Sequence, residues 1–97
     1  MSKRICTFLC ILTCFSFFFS GCYYFGATKE MKAAQQLTSE LKAAGGATLT
    51  PYEYCSAESF LGNAMREAAE SDYAHAKEFA IRSKTAAQAG LAQVKKK

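Results

Sequence analysis

The chain has 97 residues, 51% hydrophobic and 21% charged, with a formal net charge of +4. That length admits one small domain and little buried core. The basic excess is slight, and Lys95, Lys96 and Lys97 at the very end account for most of it. A clustered basic face of the kind that binds nucleic acid is therefore excluded.

Lys3 and Arg4 open the chain. An uncharged, apolar run follows over residues 5–19, and then come Ser20, Gly21 and Cys22. A short basic start, an apolar stretch and small residues before a cut form the order of a secretory signal. Small residues at the cut let an extended backbone enter a narrow protease groove. The tetrad Phe19-Ser20-Gly21-Cys22 resembles the lipobox of bacterial lipoproteins, usually Leu-Ala/Ser-Gly/Ala-Cys. Ser20, Gly21 and Cys22 match at their places, and Phe19 stands where leucine is commonest. The resemblance implies cleavage between Gly21 and Cys22 and a diacylglyceryl group on the Cys22 sulfur. It also implies an acyl chain, such as palmitate, on the new amino group. Two or more acyl chains anchor stably where one does not.

On this reading residues 1–21 are a cleaved signal peptide, residues 22–28 a lipidated tether and residues 29–97 an alanine-rich helical domain. The alternative is an uncleaved membrane helix. No charge appears from Ile5 through Thr28, and about 20 apolar residues span a bilayer. Against it, Gly21, Gly26 and the pair Tyr23-Tyr24 make the second half a poor span. The lipoprotein reading also sorts the cysteines. Cys6, Cys10 and Cys14 leave with the signal and Cys22 carries lipid, so Cys55 alone remains and no intramolecular disulfide can form. Cys55 is expected to be buried.

Residues 22–28 read as a tether whose Tyr23, Tyr24 and Phe25 suit the lipid headgroup level. A first domain helix is predicted from about Lys29 to Ala44, with Met31, Ala34, Leu37 and Leu41 on one stripe. Gly45-Gly46 ends it, because glycine accepts left-handed geometry. Thr50-Pro51-Tyr52-Glu53 then reads as a capping box with proline in the first helical position. Tyr54, Ala57, Leu61, Ala64 and Ala68 continue the second stripe, widened by Phe60 and Met65. Ser71-Asp72 are good capping residues. The third stripe carries Tyr73, Ala76, Phe79, Ala80, Ala87, Leu91 and Val94. Gly90 is expected to weaken it by ~1 kcal/mol relative to alanine. The terminal lysines suit the negative pole of its dipole. The expected architecture is all-α: a signal-peptide helix followed by three helices, the last two an antiparallel hairpin. So few large apolar residues leave the isolated unit marginal.

The residues Thr50-Pro51-Tyr52-Glu53-Tyr54, Ser56-Ala57-Glu58, Leu61, Ala64, Glu67-Ala68 and Ser71-Asp72-Tyr73 resemble a family of small bacterial envelope lipoproteins carrying a domain of unknown function. The resemblance covers roughly half of the chain after Cys22. It implies a lipid-anchored helical protein associated with peptidoglycan-binding outer-membrane proteins, with no established activity. The same stretch is similar to one tetratricopeptide unit, through Leu61-Gly62-Asn63-Ala64, Asp72-Tyr73 and Ala76. The spacing is about two residues too long, and no second copy is present to build a solenoid.

Catalytic chemistry is not legible. His75 is the one histidine; Asp72 lies one turn away, as on many solvated helix faces. Cys55 and His75 would supply two metal ligands, short of a zinc site. No glycine-rich phosphate loop occurs. No enzyme, no metal and no cofactor are therefore expected. Tyr52, Tyr54, Phe60, Tyr73 and Phe79 have two readings: the core of the hairpin, or anchors lining a groove for a partner helix or peptide. The lysine tail likewise either caps its helix or contacts the cell wall. Lys97 is a candidate for wall attachment only by analogy with a helical lipoprotein that uses a terminal lysine. The expectation is thus a non-catalytic, lipid-anchored interaction module of the cell envelope that binds an envelope protein or itself. A tether between membrane and peptidoglycan is the alternative. Tyr23, where aspartate would signal inner-membrane retention, favours the outer membrane.

Overall fold

The structure, a computed structural model, describes the backbone of residues 2–96 and, within them, every side chain except those of residues 16–22. Among the described residues all regular structure is helical: α1 Ser2–Ala43, α2 Gly46–Leu49, α3 Pro51–Ala69 and α4 Tyr73–Lys96.

α1 runs unbroken for 42 residues. Residues 22–28, read from sequence as a tether, are helical. Gly26 alone would weaken a helix there. Its missing Cβ, however, leaves space for the Lys77 stem, whose Cδ would lie 3.2 Å from a methyl at that position. Ala27 is already buried, so packing begins before Lys29.

Gly45 ends α1 in the left-handed region at φ 87°. The threonine-rich segment after it closes into the single turn of α2. This turn removes the expected capping box. Thr50 is 2% exposed, and its hydroxyl donates back to the Gly46 carbonyl at 3.3 Å rather than capping α3. Glu53 points elsewhere and accepts from Gln93 Nε2 at 2.9 Å. Pro51 does occupy the start of α3. The α3–α4 turn is a Schellman motif. Ser71 N–H donates to Ala68 O at 3.0 Å and Asp72 N–H to Glu67 O at 2.8 Å, with Ser71 left-handed at φ 63°. Asp72 Oδ1 then accepts from the His75 backbone N–H at 3.3 Å, capping α4.

α4 is the central helix, packing about equally on α1 and α3, which touch each other less. α3 and α4 are antiparallel: Ser83 Oγ donates to Ala57 O at 2.6 Å, and Gln93 meets Glu53 nearer the start of α3. α1 and α4 run parallel. Gly26 lies by Lys77, Glu30 Oε2 accepts from Lys84 Nζ at 2.6 Å, and Leu41 lies against Gly90. The core is mostly alanine: Ala27, Ala34, Ala57, Ala64, Ala76, Ala80 and Ala87 are at or below 1% exposure, with Leu41 the one large apolar side chain among them. Leu41 fills a socket made by two glycines. A Cβ on Gly46 would come 2.4 Å from Leu41 Cγ, and one on Gly90 would come 2.8 Å from Leu41 Cδ2. Gly90, expected to be a weak point of its helix, is instead buried and receives the neighbouring side chain.

The molecule measures 71 × 20 × 14 Å. The first 22 described residues of α1, residues 2–23, rise about 33 Å at ~1.5 Å per residue and project past the bundle.

Candidate functional site

The projecting part of α1 carries its large apolar side chains along one face, at the i, i+3, i+4 and i+7 spacing of Ile5, Phe8, Leu9 and Leu12. Ile5, Phe8, Leu9, Ile11, Leu12 and Phe15 are 54–69% exposed. Removing six such side chains from water is worth on the order of 10 kcal/mol, at ~1.5–3 kcal/mol each. Among the residues whose side chains are described, no helix is long and apolar enough to cross a membrane. The apolar run of residues 5–19 continues into residues 16–22, outside that set. Gly21 and Cys22 lie on the helical backbone of α1, but their side chains fall outside those described, as does Lys97 altogether.

Just beyond Cys22 the aromatics form a collar. Tyr24 meets Tyr73 edge-to-face at 5.1 Å and Phe25 at 5.8 Å. Tyr23, Tyr24 and Phe25 are exposed. Above the Tyr24–Tyr73 pair, a groove of about 440 Å³ is lined by Ala27, Met31, Met65 and Ala69 among others.

The structure divides the five aromatics named from sequence. Tyr52 is 79% exposed. Phe60 is half-buried and stacks on Phe79 at 6.4 Å, with the Arg82 guanidinium 6.0 Å from each ring and held by Glu78 at 2.8 Å. Tyr52 and Phe60 share a second groove of about 410 Å³ with Ile81, Thr85 and Ala89. Tyr54 faces another way and donates to Glu58 at 2.6 Å, which holds its phenol above the usual 10.0. Tyr73 belongs to the collar at the opposite end of α3. The reading of these rings as the hairpin core is therefore corrected. Alanine-lined seams bring the helices too close to admit a ring, so the aromatics sit on the flanks. Cys55, also expected inside, is exposed, because α3 turns Ala57 and Ala64 rather than Cys55 toward α4. Sequence reasoning missed Ile81 and Arg82 as groove residues; the i, i+4 rows Ile81-Thr85-Ala89 and Arg82-Ala86 were the available signal.

Glu67, Asp72 and His75 bring three atoms able to ligate a metal within 4.8 Å of one another. The sequence paired only Asp72 with His75; the Schellman turn folds Glu67 back beside them. Asp72 Oδ2 contacts His75 Nδ1 at 2.7 Å. That contact holds His75 above its usual 6.5 and Asp72 below its usual 3.8. Asp72 Oδ1 caps α4 and Oδ2 holds the His75 ring, which accounts for the cluster as local structure.

No family model, no curated protein and no solved structure matches this chain.

Proposed function

We propose that the protein is a non-catalytic bacterial envelope lipoprotein. Lipid on Cys22 holds it in a membrane, and its helical bundle presents a protein-binding groove. The observation that carries the reading is the exposed apolar face of α1 from Ile5 to Phe15, leading into Ser20-Gly21-Cys22 and then directly into the bundle. Tyr52 and Phe60 are the anchors of the groove, with Ile81 beside them. Tyr23 after the lipidated position favours the outer membrane. Intact mass of the membrane-extracted protein tests the anchor. A diacylated or triacylated chain beginning at Cys22 supports it, with acylation lost in Cys22→Ser. An unprocessed chain of 97 residues favours a membrane-spanning α1 instead.

A second reading, a tether to peptidoglycan through the terminal lysines, is favoured by one observation. α4 runs parallel to α1, so Lys95 and Lys96 lie at the end of the bundle farthest from Cys22. Muramidase digestion of cell walls distinguishes the two. Release of the chain carrying a sugar-peptide supports the tether, whereas recovery of a free chain with a protein partner supports the module.

A further inference from the structure

We infer that the bundle stands upright on a phospholipid surface, with the Tyr24–Tyr73 pair and the α3–α4 turn seated in the headgroup layer. The inference rests on the membrane-anchor reading and adds which end and which residues of the bundle meet the lipid.

Helix continuity carries the argument. α1 passes from its apolar, exposed half into the bundle without a break at residues 22–28. A stiff helix fixes the bundle axis along the direction in which α1 leaves the membrane. A tether would have left the bundle free to tumble. In the uncut chain the projecting segment, about 33 Å at ~1.5 Å per residue, matches a hydrocarbon core about 30 Å thick. If the chain is cut before Cys22, the acyl chains no longer fix the helix direction, and the stance then rests on the aromatic collar beside the acylated residue.

At that depth the bundle offers what a headgroup layer accepts. Tyr23, Tyr24 and Phe25 are 49%, 46% and 74% exposed, and amphipathic rings concentrate at this level. Tyr73 comes from a different helix yet packs edge-on against Tyr24 at 5.1 Å. The first residue of α4 is thereby brought to the height of the anchor. Lys77, one turn farther on, lays its stem along Gly26, the snorkelling posture of a lysine near an interface. Glu70 and Asp72 in the turn offset Lys77 and Lys32 beside the collar, so the surface that fits is zwitterionic. The stance sets the height of everything else. Tyr52 lies about 26 Å up α3 from Ala69, and Lys96 about 35 Å up α4 from Tyr73, both at ~1.5 Å per residue.

The chain contains no tryptophan, so single-tryptophan reporters are unambiguous. Tyr73→Trp and Tyr52→Trp variants of the membrane-extracted protein are reconstituted into phosphatidylcholine vesicles, brominated or plain, and recovered by flotation. The expected result is a blue-shifted Tyr73→Trp indole, quenched several-fold more by brominated lipid than that of Tyr52→Trp. Equal quenching of the two means that the bundle lies flat and overturns the stance while leaving the anchor intact. Quenching of neither, in protein that floats, also overturns it. Protein that fails to float overturns the anchor reading and the stance together.

Discussion

Gly90 offers a clean separation of helix propensity from packing. In an exposed helix interior, alanine for glycine gains ~1 kcal/mol. Gly62 in α3 is such a site, since a Cβ there would meet nothing within 4 Å. Gly62→Ala should therefore stabilise the bundle by roughly that amount, a rise of about 4–8 °C in Tm for a domain of this size. At Gly90 the added methyl would lie 2.8 Å and 3.0 Å from the Leu41 methyls and 3.2 Å from Glu53 Cβ. Leu41 is fully buried and has little room to yield. Overpacking costs ~1–3 kcal/mol, which cancels or exceeds the propensity gain. Gly90→Ala should thus be neutral or destabilising by up to about 2 kcal/mol.

Urea unfolding of the detergent-solubilised protein, followed by helical circular dichroism, measures both variants. Leu41→Ala completes the test. Alone it costs ~2–5 kcal/mol, but it also empties the socket. In that background Gly90→Ala should regain the ~1 kcal/mol of propensity, a coupling of the kind found between touching residues. If Gly90→Ala raises stability as much as Gly62→Ala, Leu41 is not seated against Gly90 and the packing of α1 on α4 described above is incorrect.

Three further outcomes are expected. Ser71→Gly relieves a left-handed residue at φ 63° and should raise the urea midpoint by the equivalent of ~1 kcal/mol. Ser83→Ala removes the buried bond to Ala57 O at 2.6 Å and should cost ~0.5–1.5 kcal/mol, read in the same unfolding assay. His75 is the sole histidine, so NMR titration of its ring should show a pKa above 6.5 that falls back toward 6.5 in Asp72→Asn. Folding raises the His75 pKa, so its stabilisation is complete below 6.5 and fades as pH climbs through the folded value. Folding lowers that of Asp72, so its contribution is complete above 3.8 and fades as pH drops through the folded value. The turn should be firmest between about pH 3.8 and 6.5.

The helical class and most boundaries were legible because glycine, proline and the Ser71-Asp72 pair punctuate a periodic sequence. The ending at Gly45, the proline start of α3 and the Asp72 cap all lie where local chemistry places them. What local chemistry could not show was competition from distant partners. Thr50 carries the right side chain for a cap, yet α2 offers its hydroxyl a nearer carbonyl and α4 supplies Glu53 with Gln93. Gly26 and Gly90 look like weak points along one helix and become contact points only when Lys77 and Leu41 arrive from elsewhere. For the site, five aromatics were legible as groove anchors or core, and of these Tyr52 and Phe60 share a groove. The meeting of Tyr24 with Tyr73 was not legible, since they stand 49 positions apart and their contact depends on α1 and α4 running parallel.

An alanine core accounts for the outward placement of both aromatic surfaces. Small residues at Ala34, Ala57, Ala64, Ala76, Ala80 and Ala87 draw three helices into a body only 20 × 14 Å across. The same closeness keeps rings out of the seams and leaves one groove around Tyr52 and Phe60 and one collar around Tyr24 and Tyr73. The two sit at opposite ends of α3. If the collar meets lipid, the groove is carried about 26 Å away from the headgroups at ~1.5 Å per residue, where another envelope protein can reach it. Thinness and the separation of the two aromatic surfaces then share one cause, the choice of alanine along the seams.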